Sequence, residues 1–75
     1  MASMDLRAPT TGVIWQTPKV AGAQVRADEV VVIIESMKME IPVVAPRAGR
    51  VTEILVEAGQ LVEEDQVVAR MEAET

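Results

Sequence analysis

The stretch with the most chemical promise is Glu35-Ser36-Met37-Lys38-Met39-Glu40, which sets one primary amine between two thioethers at what reads as the tip of a β-hairpin. A lysine in that setting offers a reaction on its side-chain amine, and the question is what becomes attached to Lys38. The only other lysine, Lys19, has no methionine pair or symmetric hairpin around it and reads as a solvent-facing side chain. Histidine and cysteine are absent, which removes Ser/His and Cys/His nucleophilic systems, thiolate metal sites and redox dithiols. Glu63-Glu64-Asp65 is acidic enough to suggest a cation site. Three adjacent residues in an extended turn point different ways, so a solvated loop is the better reading.

Seventy-five residues make one small domain, able to bury about 60 to 65% of its unfolded surface, and leave no room for a large catalytic cleft. The chain therefore reads as a non-catalytic protein rather than a self-contained enzyme. A net charge of −5 with a single aromatic residue, Trp15, argues against nucleic-acid binding and is read as a solubility feature. Trp15 reads as a cover for its sheet, and Arg47 and Arg50 as surface charges. No run approaches the roughly 18 apolar residues of a membrane span, and the start lacks the basic and apolar regions of a secretion signal, so no membrane partner and a cytoplasmic location are expected. Residues 1–4 are expected to be an appended remnant or a disordered start, with Met4 the natural initiator, and the domain to occupy 5–73.

Thirteen valines and five isoleucines favour strand, because branching at Cβ suits a pleated surface and restricts χ1 in a helix. The apolar runs are short and are separated by Pro9 to Gly12, Ala21-Gly22, Pro46 to Gly49 and Ala58-Gly59, which are turn signals. Sliding the sequence by the 37 residues that separate Ala8 from Ala45 aligns the two halves without a gap. Ala8-Pro9 then falls on Ala45-Pro46, Gly12 on Gly49, Ala21-Gly22 on Ala58-Gly59, Asp28 on Asp65, Val30-Val31 on Val67-Val68 and Glu35 on Glu72. Two like motifs that each expose an apolar face can bury those faces against each other. The expected fold is all-β: a flattened barrel or sandwich of two four-stranded antiparallel sheets with an internal pseudo-twofold axis.

That symmetry predicts faces, since side chains alternate along a strand and equivalent positions should share an environment. Arg70 and Glu72 are expected in solvent and Val67, Ala69 and Met71 inside, which transfers to Val30, Val32 and Ile34. A two-residue turn at Met37-Lys38 would set Ile34 opposite Ile41 and Val32 opposite Val43, with Glu40 and Pro42 outward. Val31 and Ile33 are expected outside and partly exposed. Lys38 maps onto Met1 and Thr75, which places both termini at the end opposite the lysine.

The lysine hairpin joining two β-repeats resembles the biotinyl domains of the biotin/lipoyl-attachment family, over Leu6 to Glu72, in the small single-domain form without a protruding thumb. In that family the acceptor lysine lies in a turn between two methionines, as in Met37-Lys38-Met39. Lipoyl domains share the fold but usually carry an acidic residue before the lysine and a small one after it. Departures from the pattern are Ser36 in place of alanine, Asp28 and Asp65 where glycine is usual, Ala23 and Gln60 at a commonly acidic position, and Thr17-Pro18 where the second repeat has Ile54-Leu55. An aspartate at a glycine position requires left-handed backbone, which Asp tolerates better than most residues. Proline has no N–H to donate, so the first-repeat strand should end or lie at an edge there.

The resemblance implies that a biotin ligase joins biotin to Lys38 through an amide, with Glu35, Ser36, Met37, Met39 and Glu40 as the residues the ligase recognises. It implies biotin as the covalent cofactor, and a biotin carboxylase and a carboxyltransferase as partners that load and unload a carboxyl group, as in an acetyl-CoA or other acyl-CoA carboxylase of fatty acid biosynthesis. The alternatives are a lipoyl carrier of a 2-oxoacid dehydrogenase type system and an unmodified β-sandwich interaction module.

Overall fold

Valine-rich runs punctuated by glycine and proline become eight strands, with no helix among residues 2–74, which the computed structural model describes. They are β1 (Ala2–Arg7), β2 (Gly12–Gln16), β3 (Gln24–Val25), β4 (Val30–Ser36), β5 (Met39–Val44), β6 (Gly49–Ile54), β7 (Leu61–Val62) and β8 (Val67–Ala73). Two four-stranded antiparallel sheets result, ordered β1-β8-β6-β3 and β5-β4-β2-β7. Under the 37-residue shift each strand of one sheet lands on its counterpart in the other, so the expected doubled architecture is present. We call the β5-β4-β2-β7 layer the lysine sheet and the other the opposite sheet.

The inner faces carry the core: Leu6, Ile14, Val25, Val32, Ile34, Val43, Val51, Val62, Ala69 and Met71 are buried, and among the described residues no polar side chain is. Fully burying one such Val, Ile or Met contributes about 1.5–3 kcal/mol. The halves are interlocked by matching backbone bonds. Gly22 donates to Val51 and Val51 to Ala23, while Gly59 donates to Ile14 and Ile14 to Gln60. Asp28 donates to Ala45, and Asp65 to Ala8. Each repeat thus completes the hydrogen bonding of the other, and neither half is a separate unit.

Local chemistry explains the turns. Gly22 and Gly59, at φ 95° and 92°, occupy the third position of turns closed by Val20–Ala23 and Glu57–Gln60 hydrogen bonds; that position requires positive φ. Asp28 and Asp65 are left-handed at φ 70° and 71°, as their place in the repeat requires. The first-repeat strand ends at Gln16, ahead of Thr17-Pro18, and Pro42 lies on β5 at a sheet edge, where a missing N–H costs no ladder bond.

Strict alternation fails at two equivalent places. Val31 is buried and not outside as expected, while Val30 and Val67 are half-buried and not fully inside. The cause is a β-bulge in each repeat: partners step from Val30↔Val44 to Val32↔Val43, skipping Val31, and from Leu6↔Ala69 to Arg7↔Val67, skipping Val68. An extra residue resets the period, so Val31-Val32 and Val68-Ala69 each send two consecutive side chains to the core. A second pair of bulges falls at Trp15 and at Thr52.

Ala2 to Met4 are not a disordered start. They pair with Ala73, Glu72 and Met71, and Met4 packs against the core. The Ala2↔Ala73 pair is the counterpart of Met39↔Ser36, so the start of β1 and the end of β8 meet where the lysine turn sits in the other sheet. Met1 and Thr75, onto which Lys38 maps, lie outside the described residues.

Gly49 runs against β8, where an added Cβ would collide with the Glu72 carbonyl oxygen and sit 2.9 Å from the Ala73 Cα. Both obstacles are backbone and cannot rotate away. Gly49→Ala should therefore destabilise the domain by about 1–3 kcal/mol, read as a lower urea midpoint at unchanged m-value.

Candidate functional site

The β4–β5 ladder runs in register through Ile33↔Pro42, Ile34↔Ile41, Glu35↔Glu40 and Ser36↔Met39, leaving Met37 and Lys38 as a two-residue connection. Both adopt positive φ, 52° and 66°, the signature of the hairpin turn whose twist matches that of its strands. Non-glycine residues resist this conformation by about 1–2 kcal/mol each. The ladder behind them holds it, with Ile34 buried beneath the last pairs. The amine is thereby presented from a fixed backbone rather than from a mobile loop.

Exposure fits a site that must meet a visiting protein. Lys38 is exposed, and among the described residues it makes no ion pair. Met37 is 93% exposed and Met39 64%, so two flexible, polarisable side chains flank the amine with nothing packed over them. Glu35 and Glu40 stand opposite each other, both exposed, and Ser36 closes the last pair with Met39. All six residues read from the sequence as one site therefore share one hairpin end. Among the described residues no group of three or more acidic side chains is placed to hold a metal ion.

Lys19 is a different kind of lysine. It is half-buried rather than solvent-facing, and its Nζ lies 2.5 Å from Glu29 Oε2. That hydrogen bond, with help from the Arg26 backbone N–H, lowers the Glu29 pKa from its ordinary 4.5. A carboxylate with a lowered folded pKa contributes stability above about pH 4.5, and the contribution disappears as pH falls through the folded value.

A tethered group needs an amine that is accessible, rigidly based and clear of ion pairs, and Lys38 satisfies each requirement while Lys19 does not. Of the two lysines, Lys38 should therefore be acetylated first under limiting reagent, with Lys19 reacting several-fold more slowly, as peptide mass mapping of a time course would record. Equal rates at the two amines would contradict the environments described.

Comparison with known proteins bears on the chain as a whole. A protein family described as "Biotin-requiring enzyme" matches residues 4–71. The chain is 38% identical over 72 residues to the biotin/lipoyl attachment protein of Bacillus subtilis, covering 96% of this chain and 99% of that one. It is 35% identical over 65 residues to the "Biotinylated protein TB7.3 homolog" of Mycobacterium leprae, covering 87% and 92%. Among solved structures, the urea carboxylase of Kluyveromyces lactis superposes on 95% of this chain with a TM-score of 0.89 and 35% identity, and the match takes in 6% of that larger chain. With the family matched across nearly all the described residues and the hairpin geometry in place, the chain belongs to the biotin/lipoyl-attachment family.

Proposed function

We propose that this domain is a biotin carboxyl carrier in which Lys38 is the attachment point. The observation that carries the reading is the two-residue turn of positive φ that holds Lys38 outward between two uncovered methionines. The similarity to proteins named as biotinylated and to a carboxylase supports it. Bound biotin supplies the chemistry, taking up a carboxyl group at one enzyme and releasing it at another.

The chain's own residues do three things in that cycle. Lys38 forms the amide, and its Nζ loses its charge and its nucleophilicity; the free amine is the attacking species, so a biotin ligase supplies the base or desolvating site. The turn fixes the direction in which the linkage leaves the domain. The lysine side chain and the acyl chain joined to it make roughly ten bonds, a reach on the order of 12 to 15 Å at about 1.25 Å per bond. A short tether of this kind keeps the transferred group at an effective concentration in the millimolar range at each active site. Met37 and Met39 offer adaptable apolar contact to the ligase, with Glu35, Ser36 and Glu40 completing the surface it reads. The partners are the ligase, a biotin carboxylase and a carboxyltransferase, in a cytoplasmic acyl-CoA carboxylase or a related system.

Intact mass after co-expression with a biotin ligase should show a single biotinyl group on the native chain and none on Lys38→Arg. A lipoyl adduct at Lys38 under a lipoyl ligase, with no biotinyl adduct, would favour lipoyl carriage instead. No adduct under either ligase would indicate an unmodified interaction module. Met37→Asp combined with Met39→Ala should slow biotinylation at least tenfold with unchanged thermal unfolding; an unchanged labelling rate would remove the methionines from the recognition surface.

A further inference from the structure

The internal repeat supplies a built-in comparison between two outer sheet faces with one backbone geometry. On the opposite sheet the outward positions Asp5, Arg7, Gln24, Arg50, Thr52 and Arg70 are all polar, and most are tied together by ion pairs. Arg70 meets Asp5 and Glu53, Arg50 meets Glu72, and Arg7 meets Asp5. On the lysine sheet the six counterparts are Pro42, Val44, Leu61, Val13, Trp15 and Ile33, every one apolar. Leu61 is 68% exposed and Trp15 43%, Val13 and Val44 are exposed, and Ile33 is half-buried. They adjoin one another through the pairings Val13↔Leu61 and Ile33↔Pro42, with Trp15 bulging between Ile14 and Gln16. The fold has no need of an apolar residue at these places, because the same scaffold carries a polar side chain at each of them on its other side, charged at four of the six.

The charge pattern departs from the repeat in a matching way. On the opposite sheet Arg50 faces Glu72 across the β6–β8 ladder and pairs with it at 3.6 Å. On the lysine sheet the equivalent ladder pair is Val13↔Glu35, so Glu35 has lost its arginine, and its other neighbour is Glu40. Like charges directly across an antiparallel pair are destabilising. Among the described residues neither carboxylate has an ion-pair partner. The strands of this sheet contain no lysine or arginine at all.

Resting on the carrier reading above, we propose that the outer face of the lysine sheet is the docking surface for the biotin carboxylase that acts on the group tethered to Lys38, with a basic side chain of that enzyme taking the place of the missing arginine beside Glu35 and Glu40. Area argues against a second copy of this chain as the occupant. The twenty residues of the lysine sheet's four strands, each about 3.3 Å long on strands about 4.8 Å apart, give a face on the order of 300 Å², or roughly 600 Å² for both partners. A stable dimer buries about 1,200–2,000 Å² and would here leave Glu35 and Glu40 without a cation, since the strands of this sheet carry none, whereas a surface below that range suits a contact made and broken each turnover. Distance separates the carboxylase from the ligase. Ile33 at the patch centre lies five residues, about 16 Å of strand, from Lys38, close to the reach of the loaded arm. The ligase must work at the amine itself, whereas an enzyme seated on the face can take the far end of the arm into its own site.

The repeat also supplies the test variant: Val13→Arg with Ile33→Arg and Leu61→Gln places on the lysine sheet residues the opposite sheet already carries. With a free-standing biotin carboxylase subunit as the probe, the biotinylated variant should show at least a tenfold higher KM as carrier and an unchanged kcat in bicarbonate-dependent ATP turnover. Titration of that subunit with Lys38→Arg protein should give a measurable Kd that the face substitutions weaken at least tenfold. Thermal unfolding and the rate of labelling by biotin ligase should not change. Unchanged KM and Kd would overturn the proposal, as would a wild-type carrier no better than free biotin at equal concentration, a parallel loss of ligase labelling, or a concentration-dependent dimer that the substitutions dissolve. Absence of any biotinyl adduct on the wild type would instead defeat the carrier reading on which the proposal rests.

Discussion

Two sheets that each own one apolar face can hide those faces only against each other, and that burial is the constraint on which this molecule depends. The chain has no helix among its described residues and no disulfide to lean on. Its stability must come from the seam lined by Ile14, Ile34, Val51 and Met71 and their neighbours. The paired bulges follow from the same demand: at Val31-Val32 and Val68-Ala69 the period is broken so that two consecutive side chains reach the seam. Glycine appears where backbone must approach backbone, as at Gly49 beside Glu72 and Ala73.

The lysine turn draws its rigidity from that seam. Two non-glycine residues at positive φ would not hold their conformation on an isolated hairpin, which is marginal by itself in water. Here the hairpin rests on a core that continues to Ile34, two residues short of the final Ser36↔Met39 pair. The lysine end is thus strained locally and supported globally, an arrangement common where a reactive group must be presented at a set angle.

Much of this is legible in the residues themselves. The gapless recurrence of Ala-Pro, Ala-Gly, Asp and Val-Val pairs specifies two interlocking copies, and the partners Ile34↔Ile41 and Val32↔Val43 follow from a two-residue turn at Met37-Lys38. The left-handed backbone at Asp28 and Asp65 is likewise readable from their places in the repeat. What pattern alone does not reveal is a bulge, because inserting one residue into a valine run leaves composition untouched while inverting every face beyond it; Val31 is the result. Nor does it reveal that Ala2 to Met4 complete an edge strand, since Ala-Ser carries little strand signal until β8 lies beside it. Lys19 reads as solvated because its partner Glu29 is ten residues away across a turn, a proximity only the folded chain creates. The contrast between the two outer faces was present in the sequence as Ile33 against Arg70, but its extent emerges only once the register sets Val13 against Glu35 where Arg50 stands against Glu72.

If Lys38 on its preformed turn is the covalent anchor proposed above, loading it should leave the body of the domain unmoved. The most direct test compares backbone amide spectra of isotopically labelled protein before and after treatment with biotin ligase. Chemical-shift changes should be concentrated in residues 36–40, with the core amides of Ile14, Val51 and Met71 unshifted. Shifts centred on Lys19, or changes spread through the core with residues 36–40 unaffected, would contradict it.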